Sequence, residues 1–167
     1  ARLSSPLGVT VRHRIRLIRL AELIDSVPAV TGQLDASDEQ VRDAAVGALW
    51  RLARNTDGNK LVEREAVVGQ ALTDITELIR LSQVDALLKD REGERLAFLR
   101  HEVALRRSRG ERRVFRVLGL IYGRRNLHRA YTHCRSEFSR TRSNAIELLE
   151  NAIRDRALMS LVTYVEA

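Results

Sequence analysis

The chain has 167 residues, of which 44% are hydrophobic and 31% charged, so its composition is that of one packed domain and excludes a disordered or fibrous segment. It has seven aromatic residues (one Trp, three Tyr and three Phe), and Ala, Leu, Arg and Glu are abundant, which favours an all-α fold. The net charge of +7 is compatible with an anionic binding partner. No apolar run is long enough for a transmembrane segment.

The first predicted helices lie in the N-terminal third of the chain. Val11, Ile15 and Ile18 have helical spacing in a basic segment, 1–20, that contains five Arg and no acidic residue. In 41–52 the apolar residues fall at i, i+3, i+4, i+7, i+8 and i+11, which predicts a helix with one apolar stripe. Ser37, with Gln40 three residues later, has the capping-box pattern and predicts the start of this helix.

The rest of the chain also has helical periodicity. We predict one long or broken helix over 61–89, a second over 95–107, and a third whose stripe in 114–122 stops at Gly123. Leu127, Tyr131, Cys134 and Phe138 form another stripe, followed by one in 145–153. The stripes predict that these residues are buried: Ala45, Leu49, Leu52, Leu118, Ile121, Leu148 and Leu149.

An internal repeat links the two ends of the domain. A shift of one hundred residues places 41–49 on 141–149 with Arg and Ala retained and the apolar stripes in phase. A shorter apolar segment precedes each copy, 28–34 in one case and 127–138 in the other. A short helix joined to a longer one is a helical hairpin, the unit of an α-solenoid.

The first of these hairpins resembles a known repeat. The run Pro28-Ala-Val-x-x-x-Leu34-Asp35-x-x-Asp38-x-x-Val41-Arg42-x-x-Ala45-x-x-Ala48-Leu49 is similar to a HEAT repeat, in which proline opens the first helix and Asp-x-x-Val-Arg leads into the second. The resemblance implies an α-solenoid of HEAT-like helical hairpins. We therefore expect a single HEAT-like domain over 1–167, with an irregular middle, 61–110, that departs from the repeat.

A narrower resemblance covers about the last sixty residues. The stretch 111–122, the pair Ala130-Tyr131 and the stretch 142–151 resemble the cytosolic HEAT-type region that follows the membrane part of some bacterial nucleotide-transporter-like major facilitator proteins. The resemblance implies a soluble regulatory or scaffolding segment of a membrane protein. The alternative is a free-standing HEAT protein. The chain begins Ala-Arg-Leu and its single Met is Met159, so we expect a piece of a longer protein.

Positive charge is concentrated in one block of the chain. Residues 100–142 contain thirteen Arg and three Glu, which predicts either solvated helix faces or a contact for an anionic partner. Trp50 lies almost opposite the stripe of 41–52, so either the segment 61–90 covers it or it is exposed for recognition. The candidate interaction surface consists of Asp43, Val46, Trp50, Arg54, Arg112, Arg113, Arg116, Arg124 and Arg125.

Residues that could form a chemical site do not converge in the sequence. Cys134 lies on an apolar stripe as a small core residue, and His128 and His133 are five residues apart, on different sides of a helix. His101 and Glu102 are adjacent, so their side chains diverge on a helix and form no acid–base pair. We predict no catalytic residue, no cofactor and no metal.

These observations favour a non-enzymatic scaffold or protein-interaction module over an enzyme. The alternative is a nucleic-acid-binding protein with a HEAT-like fold of the kind found in base-excising glycosylases. A protein partner is expected, an anionic lipid or nucleic-acid surface is a further partner class for the Arg-rich block, and self-association is left open. One cysteine and no secretory signal predict a cytoplasmic location, either free or at the cytoplasmic face of a membrane.

Overall fold

The computed structural model describes residues 6–21, 24–54, 62–89 and 93–166. The described residues form eight α-helices and no strand, which confirms the prediction of an all-α fold for this part of the chain. None of these helices combines the length and the apolar character that crossing a bilayer requires. The α-helices are α1 Pro6–Ala21, α2 Val27–Thr31, α3 Glu39–Leu52, α4 Arg64–Leu88, α5 Glu94–Tyr122, α6 Arg124–Cys134, α7 Ser139–Ala152 and α8 Ser160–Glu166.

The start of α3 differs from its prediction by one residue. The N-cap is Asp38, whose carboxylate accepts a hydrogen bond from the Gln40 N–H at 2.8 Å. Ser37 was predicted for this role because of its spacing from Gln40, and that prediction is wrong. A carboxylate at the N-cap also interacts favourably with the positive end of the helix dipole.

The middle of the chain is a hairpin of two long helices. α4 is one unbroken helix of 25 residues, and the two helices predicted over 95–107 and 114–122 are a single helix, α5, of 29 residues. Gly110 is at the crossing of the two helices, where a Cβ would lie 2.9 Å from Leu78 Cδ2. The missing side chain lets the helices approach closely. α5 ends at Gly123, whose φ of +99° is a conformation that favours glycine.

The α4–α5 hairpin is the centre of the fold. On one side α5 packs against α3, which in turn contacts α1 and α2. On the other side α5 contacts α6, and α6, α7 and α8 follow in sequence. α8 also contacts α4, so the C-terminal helices close back onto the central hairpin.

The two repeated segments share their connection geometry. Arg42 Nη1 donates to the carbonyls of Ala36 and Ser37, and Arg142 Nη1 donates to the carbonyls of Ser136 and Glu137. Each of these four acceptors is one hundred residues from its counterpart. In both hairpins an arginine of the second helix thus satisfies carbonyls of the connecting turn that lack helical partners.

The predicted core is largely buried. Ala45, Leu49, Leu118 and Leu149 are fully buried, and Leu52 and Ile121 are at most 5% exposed. Leu148 is only half-buried.

Phe138 departs from the predicted stripe, because it is 75% exposed. α6 ends before it, and Phe138 is the extended N-cap residue of α7. Helical spacing predicts burial only for residues of one continuous helix, and Phe138 lies outside α6.

Candidate functional site

A buried arginine joins the three central helices. The guanidinium of Arg113, on α5, is 5% exposed and its Nε donates to both carboxylate oxygens of Asp74, on α4, at 3.0 Å. Its Nη1 contacts two carboxylates of α3, Asp43 at 2.7 Å and Glu39 at 3.4 Å. Burial opposes the charge of Arg113, but the hydrogen bonds and charges of Asp74 and Asp43 outweigh it and raise the arginine's pKa above its ordinary value.

Two members of the predicted interaction surface are therefore internal. Arg113 is committed to its carboxylates, and Val46 is 1% exposed in the core. Assigning these two residues to a surface was wrong. Val46 lies on α3 between Asp43 and Trp50, which contact Arg113 and Gly119 of α5, so α5 covers this side of α3 as well. Asp43 is half-buried and serves as a counter-charge for Arg113.

Trp50 packs against α5 and beneath an arginine of α6. A Cβ on Gly119 of α5 would lie 2.9 Å from Trp50 Cη2, so the indole packs directly on the glycine backbone. The guanidinium carbon of Arg124 lies 4.6 Å from the ring centroid, in a cation–π contact. Trp50 is half-buried, and these two contacts come from α5 and α6.

Five arginines, one of which is Arg124 over the Trp50 ring, form what we call the arginine patch. Burial, then the charge of Arg112 and, more weakly, that of Arg19, lower the pKa of Arg116. Burial, then the charges of Arg54 and Arg116, lower the pKa of Arg124. The geometry agrees with these influences: Arg112 and Arg116 are four residues apart on α5, and Arg19 Nη1 lies beside Gly47, one turn before Trp50. The arginine patch consists of Arg19, Arg54, Arg112, Arg116 and Arg124.

Within the described ranges, no salt bridge links the arginine patch to a carboxylate. Asp43 favours the charge of Arg116 from a distance while its oxygen binds Arg113. A cluster of like charges without partners attracts anions, because an anionic ligand relieves the repulsion among the guanidinium groups. Arg19, on α1, was missed by sequence analysis, because nothing in its spacing indicates that α1 packs on α3 with Arg19 beside Gly47.

The rest of the Arg-rich block does not gather on this surface. Arg107 pairs with Asp85 at 2.6 Å, Arg135 pairs with Glu111, and Arg142 caps its turn. Only three of the thirteen arginines of 100–142 belong to the arginine patch. Of the remaining predicted residues, Arg54 is exposed within the patch, and Arg125 is exposed beside it in sequence, next to Arg124.

A polar network attaches the C-terminal helix to the central hairpin. The hydroxyl of Tyr164 donates to Glu111 at 2.7 Å, and Arg107 donates to the same hydroxyl at 3.5 Å. Burial and the bond to Glu111 raise the pKa of Tyr164. Beside this network, burial and the charge of Glu111 raise the pKa of the Cys134 thiol to about 11. A protonated, half-buried thiol is a weak nucleophile.

Elsewhere the described surface has open polar grooves. One, of about 770 Å³, lies where α3, α4 and α5 meet, over Asp74 and Arg113, which already pair with each other. The described residues hold no group of three or more His, Cys, Asp or Glu side chains arranged to bind a metal ion. Among these features of the described residues, the arginine patch is the one that gathers several like charges without a salt bridge.

Comparisons with known proteins leave the site to be interpreted from its own geometry. No family model matches the chain, and neither the curated proteins nor the solved structures contain a match.

Proposed function

We propose that this chain is a non-catalytic interaction module built from HEAT-like helical hairpins, and that its arginine patch binds an acidic segment of a partner protein. The observation that carries the proposal is the group of five arginines with no carboxylate partner among the described residues. Arg64, Arg107, Arg113 and Arg135 form salt bridges within the described ranges, and what distinguishes the patch is that its unpaired arginines lie near one another.

The HEAT-like part of the proposal rests on the two repeated hairpins. α2–α3 and α6–α7 share the arginine that caps the turn, and Ala45 and Leu49 are buried like Ala145 and Leu149. The long α4–α5 hairpin between them differs from a repeat unit. In this proposal it is an insertion against which both repeated hairpins pack.

The dimensions and chemistry of the patch favour a short acidic peptide over a long polyanion. α3 has 14 residues, so its length is about 21 Å. Trp50 lies near its C-terminal end, whereas the acids Asp38, Glu39 and Asp43 lie in its first turns. A nucleic-acid backbone that extended along α3 would approach these acids. A few carboxylates from a protein segment match a compact arginine cluster, because guanidinium groups bind carboxylates in a bidentate geometry.

The second candidate is nucleic-acid binding through the same surface. The five guanidinium groups favour it, because arginine also binds phosphate. Base stacking on Trp50 does not support it, since Arg124 lies over the ring and Gly119 packs against its six-membered edge. This candidate predicts binding through phosphates alone and therefore little dependence on sequence.

We also propose a cellular setting, based on the resemblance of the last sixty residues. In it, the module is the cytosolic regulatory region of a transporter-like membrane protein, and the arginine patch binds an acidic segment of that protein or of its partner. Juxtamembrane arginines are also attracted to anionic lipids, by about 1 kcal/mol per residue near the surface.

A binding comparison with three probes tests the proposal. Polyglutamate peptide, duplex DNA and phosphatidylserine vesicles are titrated against the chain at physiological salt. We expect saturable binding of polyglutamate and only weak DNA binding, with a dissociation constant of about 10⁻⁴ to 10⁻⁶ M. Submicromolar DNA binding that is lost in Arg112→Glu/Arg116→Glu/Arg124→Glu would replace the leading proposal by the second. Binding to vesicles alone would favour a membrane-surface role.

A further inference from the structure

The outer side of α5 is covered at one end and open at the other. Phe98, Leu105, Arg112 and Gly119 are seven residues apart and follow one side of the helix, because seven residues make almost two turns. At the C-terminal end α3 covers this side, with Trp50 on Gly119. At the N-terminal end Phe98 is 69% exposed and Leu105 is 37% exposed. This side of the helix therefore lacks a packing partner along its first half.

This open side is distinct from the contact with α4. Val103, which lies on the α4 side of α5, is 5% exposed, and Leu88 of α4 is 8% exposed. Helical geometry places Phe98 and Leu105 roughly opposite Val103 and Gly110. A phenylalanine and a leucine two turns apart on one exposed helix face are typical of a helix–helix interface.

The charges along this side are complementary to those of a second, antiparallel copy. A two-fold axis between residues 101 and 102 places Phe98 opposite Leu105 of the other copy. The same axis places Glu94 opposite Arg109 and His101 opposite Glu102. All four of these polar residues are exposed or half-buried, so they are accessible to a partner. A parallel alignment would instead place Glu94 on Glu94 and Arg109 on Arg109, which is repulsive.

We propose that the exposed side of α5, defined by Glu94, Phe98, His101, Leu105 and Arg109, binds a second copy of this chain in antiparallel orientation. Each α5 is then packed against its own α3 in one half and against the other copy's α5 in the other half. This interface does not use the five residues of the arginine patch, so it stands independently of the proposed function.

Sedimentation velocity across a concentration series tests the proposal. One helix face buries less area than a standard interface, so we expect a weak dimer that dissociates on dilution through the micromolar range. Phe98→Asp is expected to abolish the dimer. Phe138→Asp is the matched control, because Phe138 is also a strongly exposed phenylalanine but lies at the start of α7. A monomer at all concentrations, or equal loss in the two variants, overturns the proposal.

Charge-reversal and cysteine variants test the orientation. Glu94→Arg and Arg109→Glu are each expected to weaken the dimer about tenfold, and the double variant is expected to restore it. In a Cys134→Ala background, His101→Cys is expected to form an intermolecular disulfide because it lies beside the two-fold axis. Failure of the double variant to recover affinity overturns the antiparallel register. The antiparallel register is also overturned if Phe98→Cys forms an intermolecular disulfide and His101→Cys does not.

Discussion

Arg113 shows how one residue determines the arrangement of three helices. It bonds Asp74 on α4 and Asp43 on α3, while its own backbone is part of α5. In the sequence it is one of two adjacent arginines, and nothing distinguishes it from Arg112, which is exposed. The informative signal is on α4, where Asp74 shares a face with Val67, Ala71 and Leu78. An acid on an apolar stripe requires a buried cation, but the stripe alone does not say which one.

We expect Arg113→Met to lower the free energy of unfolding by about 3 to 5 kcal/mol, because it leaves the Asp74 carboxylate buried without a counter-charge. Arg112→Met is the matched control and should change stability by less than about 0.5 kcal/mol. Arg113→Met/Asp74→Leu should recover much of the loss, because both buried charges are then removed. Urea denaturation measures all three. Equal stability of the Arg113 and Arg112 variants would show that the buried cluster does not stabilise the fold.

The thiol of Cys134 gives a second residue-scale prediction. A pKa of about 11 leaves about one hundredfold less thiolate at pH 8 than its ordinary value of 9.0 would. Alkylation by iodoacetamide should therefore be at least that much slower in the folded chain than in urea. Folding favours the protonated thiol, so the stability due to Cys134 is intact below about pH 9 and decreases towards pH 11. Equal alkylation rates in the folded and unfolded chain would contradict its burial.

At the scale of the elements, the sequence predicts helices better than it predicts their ends and their partners. The periodicity of 41–52 identifies α3, because one apolar stripe of constant phase covers the whole helix. The two stripes of 95–107 and 114–122 were assigned to separate helices, although α5 continues through both. The low helix propensity of Gly110 by itself favours a break between two helices. In the structure this glycine instead permits the close contact of α5 with Leu78. A tertiary contact thus outweighs a local propensity.

Two glycines of helix interiors should respond in opposite ways to alanine. Gly119→Ala would place a Cβ against the ring of Trp50, so we expect a loss of about 1 to 3 kcal/mol despite the better helix propensity of alanine. Gly69→Ala in α4 meets no atom within 4 Å and should gain about 0.5 to 1 kcal/mol. Thermal unfolding measures the stability of each variant relative to the unaltered chain. A gain in both would mean that Trp50 does not pack on Gly119.

At the scale of the whole molecule, the repeat at one hundred residues predicts the likeness of the two hairpins but not what lies between them. The prediction of an irregular middle, 61–110, follows from the absence of repeat residues, and the structure places α4 and most of α5 there. Similarly, the positive charge of 100–142 is evident in the sequence. In the structure, however, Arg107, Arg113 and Arg135 form ion pairs within the chain and do not join the arginine patch. The pairing depends on tertiary contacts that no local pattern contains.

The most direct measurement for the arginine patch compares two triple charge reversals with the same change in net charge. Arg112→Glu/Arg116→Glu/Arg124→Glu alters the patch, whereas Arg129→Glu/Arg140→Glu/Arg154→Glu alters exposed arginines outside it. Fluorescence anisotropy measures the affinity of each for labelled polyglutamate, and circular dichroism verifies folding. We predict a loss of about tenfold or more for the patch variant, since three exposed ion pairs at about 0.5 kcal/mol each are removed. The other variant should stay within about twofold of the unaltered chain. Equal losses in the two variants would contradict the claim that the arginine patch is the binding surface.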